Sequence, residues 1–114
     1  MAVIYHNPRC GTSRKALQAL QDKGYEVEVI EYLKHPLKRD ALAKMIAEAG
    51  LNVRQAVRTK ESLYTELGLD APSVSDEVLL QAMEDNPILM NRPFVITEKG
   101  TRLCRPLEVI EEIL

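Results

Sequence analysis

The run Tyr5-His6-Asn7-Pro8-Arg9-Cys10-Gly11-Thr12-Ser13-Arg14 sets one thiol between a short apolar segment and a helical pattern. Cys10 therefore belongs at the mouth of a strand-to-helix loop, where backbone N–H groups point outward. Such a position favours thiolate over thiol and can hold an oxyanion beside it. Arg14 on the following turn, and His6 before the loop, add charge in the same sense. The chemistry implied is nucleophilic or redox work by a single cysteine. Pro8, Arg9, Gly11 and Thr12 are better suited to a loop than to packing around a buried Cys.

The neighbours of Cys10 narrow that chemistry. A dithiol motif would place a second cysteine three residues on, but Cys10-Gly11-Thr12-Ser13 ends in a hydroxyl. Disulfide chemistry at Cys10 must use an external thiol or Cys104, which ends an apolar segment and is expected chiefly to pack. No G-x-x-x-x-G-K-[ST] run is present, so the P-loop reading fails. The Cys-x5-Arg loop of small tyrosine phosphatases is also missing, since Arg14 lies four positions after Cys10. With only two cysteines and two histidines, and no compact ligand spacing, a metal site is not expected.

The elements that must position Cys10 follow from periodicity. Residues 2–5 read as a short buried strand, 12–23 as a helix with Ser13, Ala16, Leu17 and Leu20 on one face, and Gly24 as its C′ stop. Val27–Ile30 reads as a second strand, with Tyr32-Leu33 as a possible extension. A crossover of this kind makes parallel neighbours of right-handed chirality. After His35-Pro36, helices are expected over 38–49, in one or two pieces over 53–68, and over 76–85. Ser75 caps the last of these and Val78, Leu79, Ala82 and Met83 form its apolar stripe. Phe94–Thr97 and Thr101–Cys104 read as a hairpin with a three-residue loop, and Pro106 as the first residue of a closing helix. Arg92-Pro93, just before the hairpin, invites a cis peptide bond. The sum is an α/β thioredoxin-like fold: a single domain, 1–114, with a mixed sheet and a helical insertion, approximately 38–86, between the β-α-β and β-β-α parts.

Composition sets outer bounds. The 114 residues suit one domain with a modest core, and hydrophobic residues make up 46%. Fifteen basic and 17 acidic side chains give a net charge of −2, so no general nucleic-acid footprint exists. No apolar run is long enough to span a membrane, and the N-terminus lacks a signal-peptide pattern. Two distant cysteines are no secreted framework, so the expected location is cytoplasmic. Arginine nevertheless recurs beside turns and prolines, at Arg9, Arg14, Arg58, Arg92, Arg102 and Arg105.

Over nearly its whole length the sequence resembles the glutaredoxin-coupled arsenate reductases. The resemblance is carried by residues 5–14, by Val57-Arg58-Thr59-Lys60, by Asn91-Arg92-Pro93 and by Thr101-Arg102-Leu103-Cys104-Arg105-Pro106. It implies a catalytic Cys10, an anion site of Arg58, Arg92 and Arg105, a His6 that lowers the cysteine pKa, and a Ser13 that supports the thiolate. It further implies reduction of arsenate to arsenite through a covalent cysteine adduct. Glutathione is the implied co-substrate, glutaredoxin the partner, and the enzyme a monomer with no tightly bound cofactor. Some longer members carry tails past the last shared helix. Two other readings remain open at this point. One is a redox-responsive regulator like the Spx-type proteins, which share the fold but usually carry Cys-x-x-Cys. The other is a glutathione-dependent thiol enzyme with a different substrate.

Overall fold

The computed structural model describes all residues, 1–114. The chain forms two compact units: Met1–His35 together with Arg92–Leu114, and Pro36–Asn91.

The first unit is built on a four-stranded sheet. β1 (Ala2–Tyr5), α1 (Gly11–Asp22) and β2 (Val27–Ile30) make the parallel crossover. β3 (Phe94–Thr97) and β4 (Gly100–Leu103) make the hairpin, and a 3-10 turn at Leu107–Glu112 follows. The strand order is β2-β1-β3-β4. β1 pairs parallel with β2, Tyr5 opposite Ile30, and antiparallel with β3, Tyr5 opposite Phe94. This is the mixed sheet of a thioredoxin-like fold. Ala2 and Ile4 of β1, Val95 of β3 and Cys104 form a buried cluster with Ala16 and Leu20 of α1 and with Ile110 and Ile113. The α1 face expected from its 3.6-residue period is thus the buried one, with Ser13 also fully covered. Gly24 ends α1 at φ +91°, a conformation that costs a residue with a Cβ.

Three local expectations give way. Tyr32-Leu33 do not extend β2, because Glu31 C=O accepts from Lys34 N and His35 N and turns the chain. The hairpin loop is two residues, Glu98-Lys99. Gly100, at φ +144°, already pairs with Thr97. Pro106 is the cap of the closing turn rather than its first residue, and that turn is 3-10. The Arg92–Pro93 bond is cis, and so is Arg105–Pro106, which the sequence reading did not anticipate.

The second unit is helical: α2 (Arg39–Glu48), a 3-10 turn (Val53–Ala56), α3 (Ser62–Glu66), α4 (Asp76–Asp85) and a 3-10 turn (Pro87–Leu89). Its buried side chains include Leu42, Met45 and Ile46 of α2 and Leu79 and Met83 of α4. Ser75 Oγ accepts from Val78 N, as a helix cap should. Val78 itself is half exposed, so the α4 stripe is narrower than its apolar spacing suggests. Asn52 and Gln55 bond reciprocally to each other's backbone N–H, a capping box on the first 3-10 turn. Where α3 runs out, Arg54 takes over. Its guanidinium donates to Tyr64 Oη at 2.7 Å, to Leu69 C=O at 2.8 Å and, more loosely, to the Ala71 and Val74 carbonyls. One cation thereby adds a donor to carbonyls of a loop whose own backbone bonds are few and local.

Arg54→Ala is expected to destabilise the chain by about 2 kcal/mol in urea unfolding, because the loop carbonyls lose a charged donor. Arg54→Lys should recover only part of this, since an ammonium cannot span the same acceptors. A change below experimental error would show that water replaces Arg54 at no cost.

Candidate active site

Asn7 organises the loop between β1 and α1. Its carbonyl accepts from Cys10 N at 2.9 Å, its Oδ1 from Arg9 N at 3.0 Å, and its own N–H donates to Ser13 Oγ at 3.1 Å. An asparagine before proline carries this turn signal, yet the sequence reading passed over Asn7 as a site element. The loop delivers Cys10 as the N-cap of α1, in extended conformation, φ −90° and ψ 121°. Cys10 is only 8% exposed, so the thiol expected on an open loop is recessed.

Two arginines reach the sulfur from the C-terminal segment of the unit. Arg105 Nη1 lies 3.6 Å from Cys10 Sγ and also donates to Arg92 C=O at 3.2 Å. The buried Arg92 guanidinium faces the same sulfur. Sheet geometry explains the convergence. β1 and β3 are neighbours with Tyr5 opposite Phe94, so the loop after β1 and the Arg92-Pro93 segment before β3 share one sheet end. Phe94 is in turn opposite Leu103, and Cys104 N bonds Pro93 C=O at 2.9 Å, which brings Arg105 to that end as well.

The thiol's pKa reflects opposing effects. Burial is the largest single influence and raises it. Against this act the Ser13 backbone N–H, the Arg92 charge, and hydrogen bonds from Arg92 and Arg105. Together they bring Cys10 below its ordinary value. Sγ makes no capping hydrogen bond of full geometry, so the helix amide acts mainly through its dipole. Cys104 is the reverse case. It is fully covered in the core cluster, and burial pushes its thiol up to about 12. Both cysteines are free thiols.

His6 and Ser13 form a pair behind the loop, Nδ1 to Oγ at 2.6 Å. Burial lowers the His6 pKa more than Glu31 raises it, and Arg14 lowers it further, so the imidazole is neutral at pH 7. Ser13 has one hydroxyl proton and already accepts from Asn7 N–H. If His6 carries its proton on Nε2, the Ser13 O–H is spent on Nδ1. If the proton is on Nδ1, Ser13 accepts from His6 and its O–H is released. Only the second tautomer lets Ser13 donate to a thiolate.

The two remaining expected residues, Arg14 and Arg58, have contacts of their own. Arg14 turns back to donate to Pro8 C=O at 2.8 Å and is exposed, so it braces the loop. Arg58 belongs to the helical unit. There its N–H donates to Leu89 C=O at 2.7 Å, and its Nη1 is 3.4 Å from Glu61 Oε2. No group of three or more His, Cys, Asp or Glu is arranged to hold a metal ion. No helix is long and apolar enough to cross a membrane.

Fold and site together define a thioredoxin-like enzyme class in which one thiol of lowered pKa lies under paired guanidinium groups suited to an anion. Sequence comparison gives the class its family, for the ArsC family model matches residues 5–113. The chain is 59% identical over 111 residues to "Arsenate reductase" of Rhizobium meliloti, covering 97% of this chain and 79% of that protein. It is 50% identical over 111 residues to "Arsenate reductase" of Escherichia coli K12, with the same coverage. The solved arsenate reductase from Vibrio cholerae superposes with a TM-score of 0.94 at 41% identity, over 99% of this chain and 97% of that one. The chain belongs to the ArsC family.

At pH 8 a neutral alkylating reagent should add once to the native protein, at Cys10, and twice after denaturation. Native modification of Cys104 would contradict its burial. The sign for stability is also set. Cys104's raised folded pKa contributes fully below its unfolded value of about 8.5, and that contribution is lost as pH climbs toward 12. For Cys10, Arg92→Ala should move the pH midpoint of alkylation upward. An unmoved midpoint would remove Arg92 from thiolate stabilisation.

Proposed function

We propose that this chain reduces arsenate to arsenite by covalent catalysis at Cys10, with glutathione and glutaredoxin as external reductants. The observation that carries the reading is the Arg105 guanidinium 3.6 Å from Cys10 Sγ, with Arg92 beside it. The names of the Rhizobium meliloti and Escherichia coli relatives supply arsenate as the oxyanion.

In this mechanism the Cys10 thiolate attacks arsenic(V), forms an S–As bond and expels an arsenic-bound oxygen as hydroxide or water. Arg92 and Arg105 hold the remaining oxygens and stabilise the charge gathering on them. Arg58 joins them by family resemblance. Glutathione attacks the adduct, glutaredoxin supplies the second thiol, and arsenite leaves. Two external thiols become one disulfide, arsenic gains two electrons, and Cys10 is regenerated. His6, as the Nδ1–H tautomer, would leave the Ser13 hydroxyl free for the thiolate. Arg14 would act indirectly, by holding Pro8 and so the loop. A single chain carries Cys10, Arg92 and Arg105, which suits a monomer, and a reducing cytoplasm would keep both thiols free.

The Spx-like reading loses its second cysteine to Ser13, whose hydroxyl is engaged by His6 and Asn7. A coupled assay with arsenate, glutathione and glutaredoxin tests the proposal. Cys10→Ser should abolish turnover, and Cys104→Ser should keep most of it. Arg92→Ala should lower kcat/KM by about 100-fold or more, the loss typical of a missing oxyanion donor. Near-complete loss in a folded Cys104→Ser protein would instead favour an internal disulfide route.

A further inference from the structure

Every arginine but one has an acceptor or faces the catalytic sulfur. Arg14 is on Pro8 C=O, Arg39 on Gln81, Arg54 on Tyr64, Arg58 on Glu61 and Arg102 on Glu112, while Arg92 and Arg105 turn to Cys10. The exception is Arg9, next to the nucleophile in sequence. Its side chain is exposed and makes no hydrogen bond or ion pair. Its backbone is nevertheless fixed, because Arg9 N is bound by Asn7 Oδ1 and the following Cys10 N by Asn7 C=O. The result is an unspent, solvated guanidinium on an anchored turn beside a recessed thiol.

We propose that Arg9 receives a carboxylate of glutathione as that thiol approaches Cys10. The inference rests on the arsenate reading, because that reaction is what brings glutathione to the site. The division of labour follows from position. Arg92 and Arg105 lie against the sulfur, where the substrate oxygens must gather. Arg9 is the residue before Cys10 and is exposed, so it is reachable from the solvent through which a tripeptide thiol must arrive. Glutathione carries two carboxylates and a guanidinium is a planar, paired donor for one. An exposed pair of this kind contributes modestly and is screened by salt, so its signature is selectivity and ionic-strength dependence rather than an all-or-none loss.

The test needs no arsenate. The Cys10 thiolate attacks one sulfur of glutathione disulfide, forming a Cys10–glutathione disulfide and expelling a glutathione thiolate. The rate is followed by mass and compared with that for uncharged 2-hydroxyethyl disulfide. Arg9→Ala should slow the glutathione reaction about fivefold relative to the neutral reagent, the upper range for an exposed ion pair. It should also flatten the salt dependence. Arg9→Glu should slow it further, and Arg9→Lys should restore most of the ratio. Equal slowing with both disulfides, or an unchanged ratio, would overturn the proposal. If the ratio changes as expected but wild-type protein turns over no arsenate, the docking role stands and the arsenate reading falls. If arsenate turns over and the ratio is insensitive to Arg9, the reverse holds.

Discussion

The site depends on keeping a thiolate charged in a place that water barely reaches. Burial alone would hold Cys10 protonated, as it does Cys104 in the same unit. What separates the two thiols is the company each keeps. Cys104 lies among Ile4, Val95, Ile110 and other apolar side chains, where burial outweighs the compensating charge of Arg102. Cys10 caps a helix and meets two guanidinium groups. The fold can therefore carry two cysteines without making two nucleophiles, and the second behaves as a small core residue.

That compensation is a property of the whole sheet. The first helix presents its N-terminus only because Ala16 and Leu20 fix it over the sheet. Arg92 and Arg105 arrive from a hairpin nearly a full chain length away in sequence. The registers Tyr5–Phe94 and Phe94–Leu103 place their strand ends together, and Cys104 N to Pro93 C=O holds the junction. A one-residue slip would carry each strand's side chains to the opposite face and draw the arginines away from the sulfur. The core of the first unit is thus the part of the molecule that sets Cys10's electrostatics.

Much of this was legible in the sequence. The α1 stripe, the Gly24 stop, the Ser75 cap and the hairpin each rest on local chemistry that short segments express by themselves. Cys10, His6 and Ser13 lie within eight residues, and their loop could be read directly. What the sequence left hidden were features decided by distant partners or by a choice between near-equal local forms. Arg54 has acceptors up to 20 residues away, and nothing in its own neighbourhood marks it as the brace of a loop. Asn7 drew no reading from the sequence, yet its main chain and side chain make three hydrogen bonds within the loop. The cis bond at Pro106 and the 3-10 form of the last turn depend on packing against the sheet, as the buried Ile110 and Ile113 indicate. The recession of Cys10 likewise follows from tertiary packing, which loop-forming neighbours could not reveal. Arg58's assignment came from resemblance; within the helical unit its backbone N–H is fixed on Leu89 C=O and its side chain pairs with Glu61.

In the proposed mechanism the same guanidinium groups that favour the thiolate also serve an incoming oxyanion, and these demands conflict only in the ground state. A thiolate stabilised by two cations is a weaker nucleophile than a bare one, and the substrate brings more negative charge to the same donors. As the sulfur–arsenic bond forms, however, sulfur gives up its charge. On that mechanism Arg92 and Arg105 would be released from sulfur while charge accumulates on the arsenic-bound oxygens, two bonds away. Donors already fixed at the site need little reorganisation to follow it, which is the condition under which electrostatic preorganisation lowers a barrier. The Arg105 bond to Arg92 C=O suits this demand, because it fixes one guanidinium independently of what occupies the site. An exposed cation such as Arg9, with no role in holding the sulfur, is then available for the thiol that arrives second in the proposed reaction.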